Sequence, residues 1–151
     1  MRLVVQAAKD ARVDVDGKTI GSIDYGYVVL IGITNEDNED IADKMLAKLL
    51  KLRILPDDNG KTNMSIVDKN GGMLIVSQFT LYADMTHGNR PNFLKAGAPD
   101  YANKLYEYFV ARARESGLPI GTGEFGADMH VTFTNEGPFT VIMDSDELIK
   151  K

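Results

Sequence analysis

The chain has 151 residues, of which 44% are hydrophobic, contains no cysteine and carries a formal net charge of −5. This length fits one domain, residues 1–151, whose core can form without a disulfide or a metal. The absence of cysteine excludes thiol nucleophiles and cysteine-ligated zinc, and the negative charge argues against non-specific coating of nucleic acid, which needs many Lys and Arg contacts to phosphate.

No segment indicates secretion or a membrane span. The first residues become polar too soon for a signal peptide, and no apolar run approaches the roughly 20 residues that a membrane helix needs. Together with the absence of cysteine, this predicts a soluble cytoplasmic protein with no membrane partner. We expect the charged residues after Ser145 to form a solvated tail.

The first 33 residues have the patterns of β-strands. Residues 1–8 alternate weakly, and Ala11, Val13 and Val15 alternate with charged neighbours up to a turn at Asp16-Gly17, which indicates a hairpin. Residues 19–23 continue from that turn, residues 24–26 predict another turn, and residues 27–33 form an apolar run typical of a strand buried on both faces. Four strands are therefore expected.

Two helices follow, with one more strand between them. Apolar residues recur at helical spacing after Asn38, and two clusters of turn residues, 56–60 and 68–72, flank a segment that the pattern does not assign. Residues 73–81 predict a buried strand, and residues 82–99 a long loop. We expect Asp100 to cap the second helix, which ends near Gly117-Leu118-Pro119.

Residues 130–133 and 139–143 predict two last strands, joined by a turn at residues 135–138. The whole order predicts an α+β fold: a curved, mostly antiparallel, barrel-like sheet with two covering helices. No repeat or linker divides the chain.

The usual catalytic residues are scarce. His87 and His130 are the only histidines, and neither a metal-binding spacing nor a glycine-rich phosphate loop is present, so no metal or cofactor is expected. A Ser-His-Asp triad built on His87 is one reading, but a histidine in a polar loop beside glycine is more often solvated.

Two polar segments stand out against this background. Ser77-Gln78-Phe79-Thr80 ends a strand predicted to be buried, where the side chains either bond to backbone or serve chemistry. Gly137-Pro138 is first of all a turn signal, but a bond before proline is also the one in which cis geometry is cheap enough to be common. A cis bond would direct two adjacent carbonyls to one side.

These segments resemble motifs of the D-aminoacyl-tRNA deacylase family, once called D-tyrosyl-tRNA deacylases. The residues Ser77-Gln78-Phe79-Thr80 resemble the family's Ser-Gln-x-Thr motif, and Asn135-Glu136-Gly137-Pro138-Phe139-Thr140 its Asn-x-Gly-cisPro-x-Thr motif. Residues 90–93 (Arg-Pro-Asn-Phe) and 122–129 (Thr-Gly-Glu-Phe-Gly-Ala-Asp-Met) resemble family segments between them. The resemblance runs nearly end to end.

The resemblance implies a homodimeric hydrolase that cleaves the ester between a D-amino acid and the 3′ end of tRNA and rejects L-aminoacyl-tRNA. Its active sites would lie at the subunit interface, where the turn of one chain enters the pocket of the other. The residues implied as catalytic are Ser77, Gln78, Phe79 and Thr80. Those implied as substrate-binding are Gly137, Pro138, Phe125, Met129 and Asn135.

An aminoacyl ester is already activated, and the neighbouring ribose hydroxyl can assist the attacking water, so the protein needs only to position the ester and stabilise the oxyanion. Backbone donors around Phe79 and Thr80 are the expected oxyanion partners. Thr80 is either a positioning residue, which we favour, or a nucleophile, for which no activating neighbour is evident in the sequence.

One position departs from the family pattern: Ala7 stands where members commonly carry arginine, next to the expected Gly-Pro turn. Lys44, Lys48 and Lys51 form a stripe at helical spacing that is either a solvated face or a contact for tRNA phosphates. The alternatives to a deacylase are a non-catalytic RNA-binding module and a Ser/His esterase that needs His87 near Ser77.

Overall fold

The structure, a computed structural model, describes residues 1–149. Within those residues the chain forms seven strands, three α-helices and one 3-10 helix. In order they are β1 Arg2–Val15, β2 Lys18–Gly32, α1 Glu39–Lys51, β3 Leu55–Pro56, β4 Thr62–Met64, β5 Gly72–Ser77, the 3-10 helix Phe79–Tyr82, α2 Pro99–Arg114, β6 Ile120–Thr122, β7 His130–Asp144 and α3 Ser145–Leu148.

Five of these strands form one curved sheet in the order β6-β5-β2-β1-β7. The two long neighbours of β1 run antiparallel to it, whereas β5 is parallel to β2 and β6 is parallel to β5. The fold class is therefore α+β, as expected, with a mixed sheet that curves without closing into a barrel. Its outer strands, β6 and β7, are left as edges.

The first 32 residues form two long strands instead of four shorter ones. Lys9 pairs with Tyr25 and Ala8 with Gly26, so β2 continues through the predicted second turn. Gly26 has φ +144°, and a Cβ there would lie 1.9 Å from the carbonyl oxygen of Gly72. This glycine marks a close approach of β2 to β5, because only a residue without a side chain fits between the two backbones.

The curvature brings the outer half of β2 against β6. A Cβ on Gly21 would lie 2.2 Å from the oxygen of Thr122, and a Cβ on Gly121 2.9 Å from the oxygen of Ser22. A second, smaller apolar cluster is made of Ala8, Ala11, Val13, Ile23, Val28, Leu74 and Val76.

The two long helices cover the other face and enclose the main core, in which Phe109 and Tyr27 are fully buried. Asn38 caps α1, since its side-chain oxygen accepts a hydrogen bond of 2.9 Å from the Ile41 amide. The prediction for α2 is wrong by two positions. This helix begins at Pro99, whose fixed φ suits a first helical residue, so Asp100 falls inside the first turn.

The segment after Ser145 differs from the solvated tail that its charge suggested. Asp146 and Glu147 are exposed, but Ser145 is buried and Leu148 and Ile149 pack against the main core. Two apolar residues are too few to show a helical period, so the sequence does not indicate that they pack against the core. Lys150 and Lys151 lie outside the described residues, and among the described helices none is long and apolar enough to cross a membrane.

Candidate functional site

A cleft of about 660 Å³ opens where β5 ends. Three segments form its walls: the residues that follow β5, the loop that leads into α2, and the segment between β6 and β7. Its lining is mostly apolar with a few polar side chains, which is typical of a ligand-binding site.

The first wall is shaped by a change of backbone direction. β5 stops at Ser77, four residues before the end of the strand predicted from sequence, and the 3-10 helix begins at Phe79. The amide of Gln78 donates a hydrogen bond of 2.8 Å to the Ile31 oxygen, and this bond fixes the end of β5 on β2. Ser77, Gln78 and Phe79 line the cleft, with the Phe79 side chain 56% exposed.

Thr80 lies just outside the lining. Its hydroxyl donates a hydrogen bond of 2.8 Å to the side-chain oxygen of Gln78, which leaves the Gln78 amide group turned the other way. This contact fits a positioning role, since it orients a side chain that does line the cleft.

The second wall is the loop that leads into α2. Phe93 meets Phe79 edge to face, with ring centroids 5.0 Å apart. The amide of Gly97 donates to the Ile33 oxygen at 2.8 Å, and the amide of Ala98 to the side-chain oxygen of Asn35 at 2.9 Å. These bonds attach the loop to the residues that follow β2.

The third wall carries Phe125 and Met129, and Tyr106 supports it from inside the core. The Tyr106 hydroxyl donates a hydrogen bond of 2.6 Å to the Ile75 oxygen on β5, and the Tyr106 ring lies 6.2 Å from that of Phe125. Burial raises the pKa of Tyr106 to about 12, so its hydroxyl stays protonated and remains a donor. Tyr106 thus links β5 to the Phe125 wall.

None of the described residues that line the cleft is histidine, aspartate, glutamate, lysine or arginine. His87 is exposed at the tip of the long loop and does not line the cleft with Ser77, which removes the geometry that a Ser/His esterase needs. Among residues 1–149 no group of three or more potential ligands is placed to hold a metal ion. The cleft can position and polarise a substrate, but it supplies no strong base.

The Gly137–Pro138 turn has a different setting from the predicted hairpin. β7 is a single strand that pairs with β1 on both sides of the turn, with Thr140 opposite Gln6 and Asn135 opposite Ala8. Residues 136–139 therefore form a wide bulge that projects from one strand. The peptide bond before Pro138 is cis, as expected, and both turn residues are exposed.

Asn135 holds the bulge closed at its base. Its side-chain oxygen accepts a hydrogen bond of 3.0 Å from the Phe139 amide, and its side-chain nitrogen donates to the Thr140 hydroxyl at 3.1 Å. These bonds shape the turn, and the expected part of Asn135 in substrate binding stays a prediction. Ala7, the position where the family pattern has arginine, lies on β1 directly opposite the bulge and is buried.

The structure brings together five of the residues singled out from sequence: Ser77, Gln78, Phe79, Phe125 and Met129. It does not bring the turn to them, because β5 is the second strand of the sheet and β7 the fifth. Sequence reasoning missed Asn35 as a lining residue and Tyr106 as a support. In the sequence, Tyr106 has only the helical spacing of a core residue, so no local pattern indicates that it supports the cleft wall.

The sequence comparisons point to one family. The sequence profile of a family described as D-Tyr-tRNA(Tyr) deacylase matches residues 4–144. The chain is 52% identical over 147 residues to a D-aminoacyl-tRNA deacylase of Thermus aquaticus, with 97% of each chain covered. It is 47% identical over 148 residues to one of Thermosipho africanus, covering 98% of this chain and 99% of the relative.

Two solved structures have the same fold. One is described as the c-Myc DNA unwinding element binding protein, with a TM-score of 0.90 and 38% identity over 96% of this chain and 99% of that one. The other is described as a probable eukaryotic D-amino acid tRNA deacylase, with a TM-score of 0.84, 20% identity, and coverage of 94% and 97%. At that identity the second shows the fold alone.

Proposed function

The chain belongs to the D-Tyr-tRNA(Tyr) deacylase family, and from this premise we propose that its exposed Gly137–Pro138 turn is the element that selects D-aminoacyl-tRNA. The enzyme is a D-aminoacyl-tRNA deacylase, a hydrolase of the ester between a D-amino acid and the 3′ end of tRNA. The turn would enter a cleft and present main-chain oxygens to the α-amino group. An L side chain would then clash with the turn backbone.

Selection by clash suits an enzyme that must accept many D side chains. Favourable contacts to a variable side chain cannot give steep discrimination, whereas a fixed backbone in the space of the L side chain can. Glycine has no side chain to clash, so the same mechanism admits glycyl-tRNA. The observation that supports the turn's role is its projection as a bulge whose two central residues are exposed.

We place the complete site between two copies of the chain. The turn and the cleft lie on strands that are not neighbours, and the turn residues do not line the cleft of their own chain. Large apolar side chains are exposed beside both elements, Phe79 and Leu94 at the cleft and Ile142 on β7. A homodimer would cover these surfaces and supply the turn of one copy to the cleft of the other.

The reaction in this cleft would proceed without a protein base. Water would attack the ester carbonyl, assisted by the neighbouring ribose hydroxyl, and the amides at the start of the 3-10 helix would stabilise the oxyanion. The first amides of such a helix have no carbonyl partner within it, which makes those of Phe79 and Thr80 available as donors. The aromatic walls Phe79 and Phe125 suit the terminal adenine. The enzyme would work in the cytoplasm, where aminoacyl-tRNA is made and used.

Replacing Thr80 by alanine separates a positioning role from a nucleophilic one. If Thr80 only orients Gln78, Thr80→Ala keeps measurable deacylation, with kcat/KM lowered about tenfold by the loss of one hydrogen bond between side chains. Single-turnover hydrolysis of D-Tyr-tRNA measures this value. Complete loss of turnover, together with an acyl group trapped on Thr80 in the wild type, would assign Thr80 as the nucleophile.

The assay that tests the function compares matched D- and L-tyrosyl-tRNA with a simple ester. We expect rapid hydrolysis of the D form, no hydrolysis of the L form above the spontaneous rate, and no turnover of the simple ester, which lacks the adenosine and the ribose hydroxyl. Equal hydrolysis of D and L forms would defeat the selection mechanism. Binding of tRNA without hydrolysis of either form would instead favour an RNA-binding module.

A further inference from the structure

Tyr27 carries a buried hydroxyl that has no hydrogen-bond partner among residues 1–149. The residue is fully buried in the main core, where the other deeply buried tyrosine, Tyr106, donates to the Ile75 oxygen. A buried polar group without a partner is destabilising, and an apolar residue of the same shape avoids that cost. An orphaned hydroxyl in this position therefore calls for a role beyond packing.

Tyr27 stands one strand away from the base of the Gly137–Pro138 bulge. It is the direct cross-strand partner of Ala7, and on the other side of Ala7 lie the bulge residues 136–139. Tyr27, Ala7 and Phe139 all belong to the core on the helix-covered face. On the strand between Tyr27 and the bulge, the residue in register is Ala7, whose side chain is a single methyl group.

The surroundings of Tyr27 raise the pKa of its hydroxyl. Burial raises the pKa of Tyr27, and the neighbouring Tyr25 raises it further. Tyr25 in turn has its pKa raised by burial and by the charge of Glu136, the first residue of the bulge. Tyr27 therefore stays protonated, and its hydroxyl remains a donor.

The bulge offers acceptors to that donor. Residues 136–139 have no register partner on β1 in the described part of the chain, and Pro138 has no amide hydrogen. Carbonyl groups of the bulge are thus left outside the ladder. Ala7, which has no polar side chain, cannot supply a hydrogen bond to them, and Tyr27 is its immediate polar neighbour on β2.

We propose that Tyr27 is a positioning residue for selection: its hydroxyl donates a hydrogen bond to a main-chain carbonyl of residues 136–138 when the bulge engages substrate. This inference rests on the proposed role of the Gly137–Pro138 turn. This hydrogen bond fixes the distance between the turn backbone and the α-amino group of the substrate. The turn excludes the L side chain only at that distance. The folded protein without substrate gains nothing from the hydroxyl.

The Tyr27→Phe variant separates this role from packing, because it removes only the hydroxyl. Urea unfolding should show a protein at least as stable as the wild type. The ratio of D- to L-tyrosyl-tRNA hydrolysis should fall about fivefold, which corresponds to about 1 kcal/mol for one hydrogen bond. Tyr106→Phe is the matched control for stability and should be less stable, since its hydroxyl has a partner.

Tyr108→Phe controls for the loss of a tyrosine hydroxyl elsewhere. Its hydroxyl bonds Asp43 between the helices, away from the bulge, so the D-to-L ratio should not change. A Tyr27→Phe protein that is less stable than the wild type would show that the hydroxyl already has a structural partner and would overturn the inference. An unchanged D-to-L ratio would overturn it as well. If Gly137→Val also left the ratio unchanged, the proposed role of the turn would fail first.

Discussion

Replacing Gly137 by valine is expected to lower the hydrolysis of D-aminoacyl-tRNA by about 100-fold or more, the loss that misplacement of a reacting group by 1 Å can cause. Gly137 has φ +132°, a conformation that residues with side chains rarely adopt. A Cβ there would lie 2.9 Å from the Phe139 amide nitrogen and 3.2 Å from the Phe139 Cβ. The valine would therefore reshape the turn and place its branched side chain in the space of the substrate.

Gly60→Val is the matched control for this variant. Gly60 also has a positive φ, +77°, but a Cβ at that position meets nothing within 4 Å, and the residue lies in the turn between β3 and β4. We expect it to cost about 1–2 kcal/mol of stability through backbone strain and to leave kcat/KM unchanged. A Gly137→Val protein that folds and retains D-tyrosyl-tRNA hydrolysis within fivefold of the wild type would remove the turn from the site.

Much of the architecture follows from local pattern. The stripe of apolar residues and the cap Asn38 define α1, and the continuous apolar runs define the central strands β2 and β5. The number of strands was harder to predict, because a glycine in the sequence indicates either a turn or a close approach of another backbone. Gly26 does the second, and only its distance to Gly72 reveals this.

The setting of Gly137–Pro138 shows the same limit. The turn residues, the polar stretch around them and the flanking apolar residues are those of a hairpin, which would require the flanking strands to pair with each other. Both flanks pair instead with β1, since the alternation of β1 continues far enough to accept a partner along its whole length. The pairing of β7 with β1 joins residues far apart in the sequence, so no short sequence pattern predicts it.

The candidate site was predictable as a set of residues but not as an arrangement. The motif residues Ser77, Gln78 and Phe79 line one cleft with Phe125 and Met129, which lie about 50 positions later. The separation of this cleft from the turn depends on the sheet order, and our proposal that two chains complete each site rests on it. The contact from Thr80 to Gln78 depends on the 3-10 helix that replaces the end of the predicted strand.

The claim that one chain's turn acts in another chain's cleft is tested most directly by a mixed dimer. One copy carries Gly137→Val, which damages the turn, and the other carries Ala127→Trp, which fills the cleft that Ala127 lines. Co-expression with two different C-terminal tags, followed by two affinity steps, isolates dimers that contain one copy of each. Each variant alone should hydrolyse D-tyrosyl-tRNA at no more than about a hundredth of the wild-type rate.

In the mixed dimer, the intact cleft of the Gly137→Val copy faces the intact turn of the Ala127→Trp copy, and the other site has both defects. We expect one working site in each dimer and therefore about half of the wild-type activity, with the D-to-L ratio of the wild type. If each turn served the cleft of its own chain, both sites would be damaged. A mixed dimer no more active than the two variants alone would contradict the shared site.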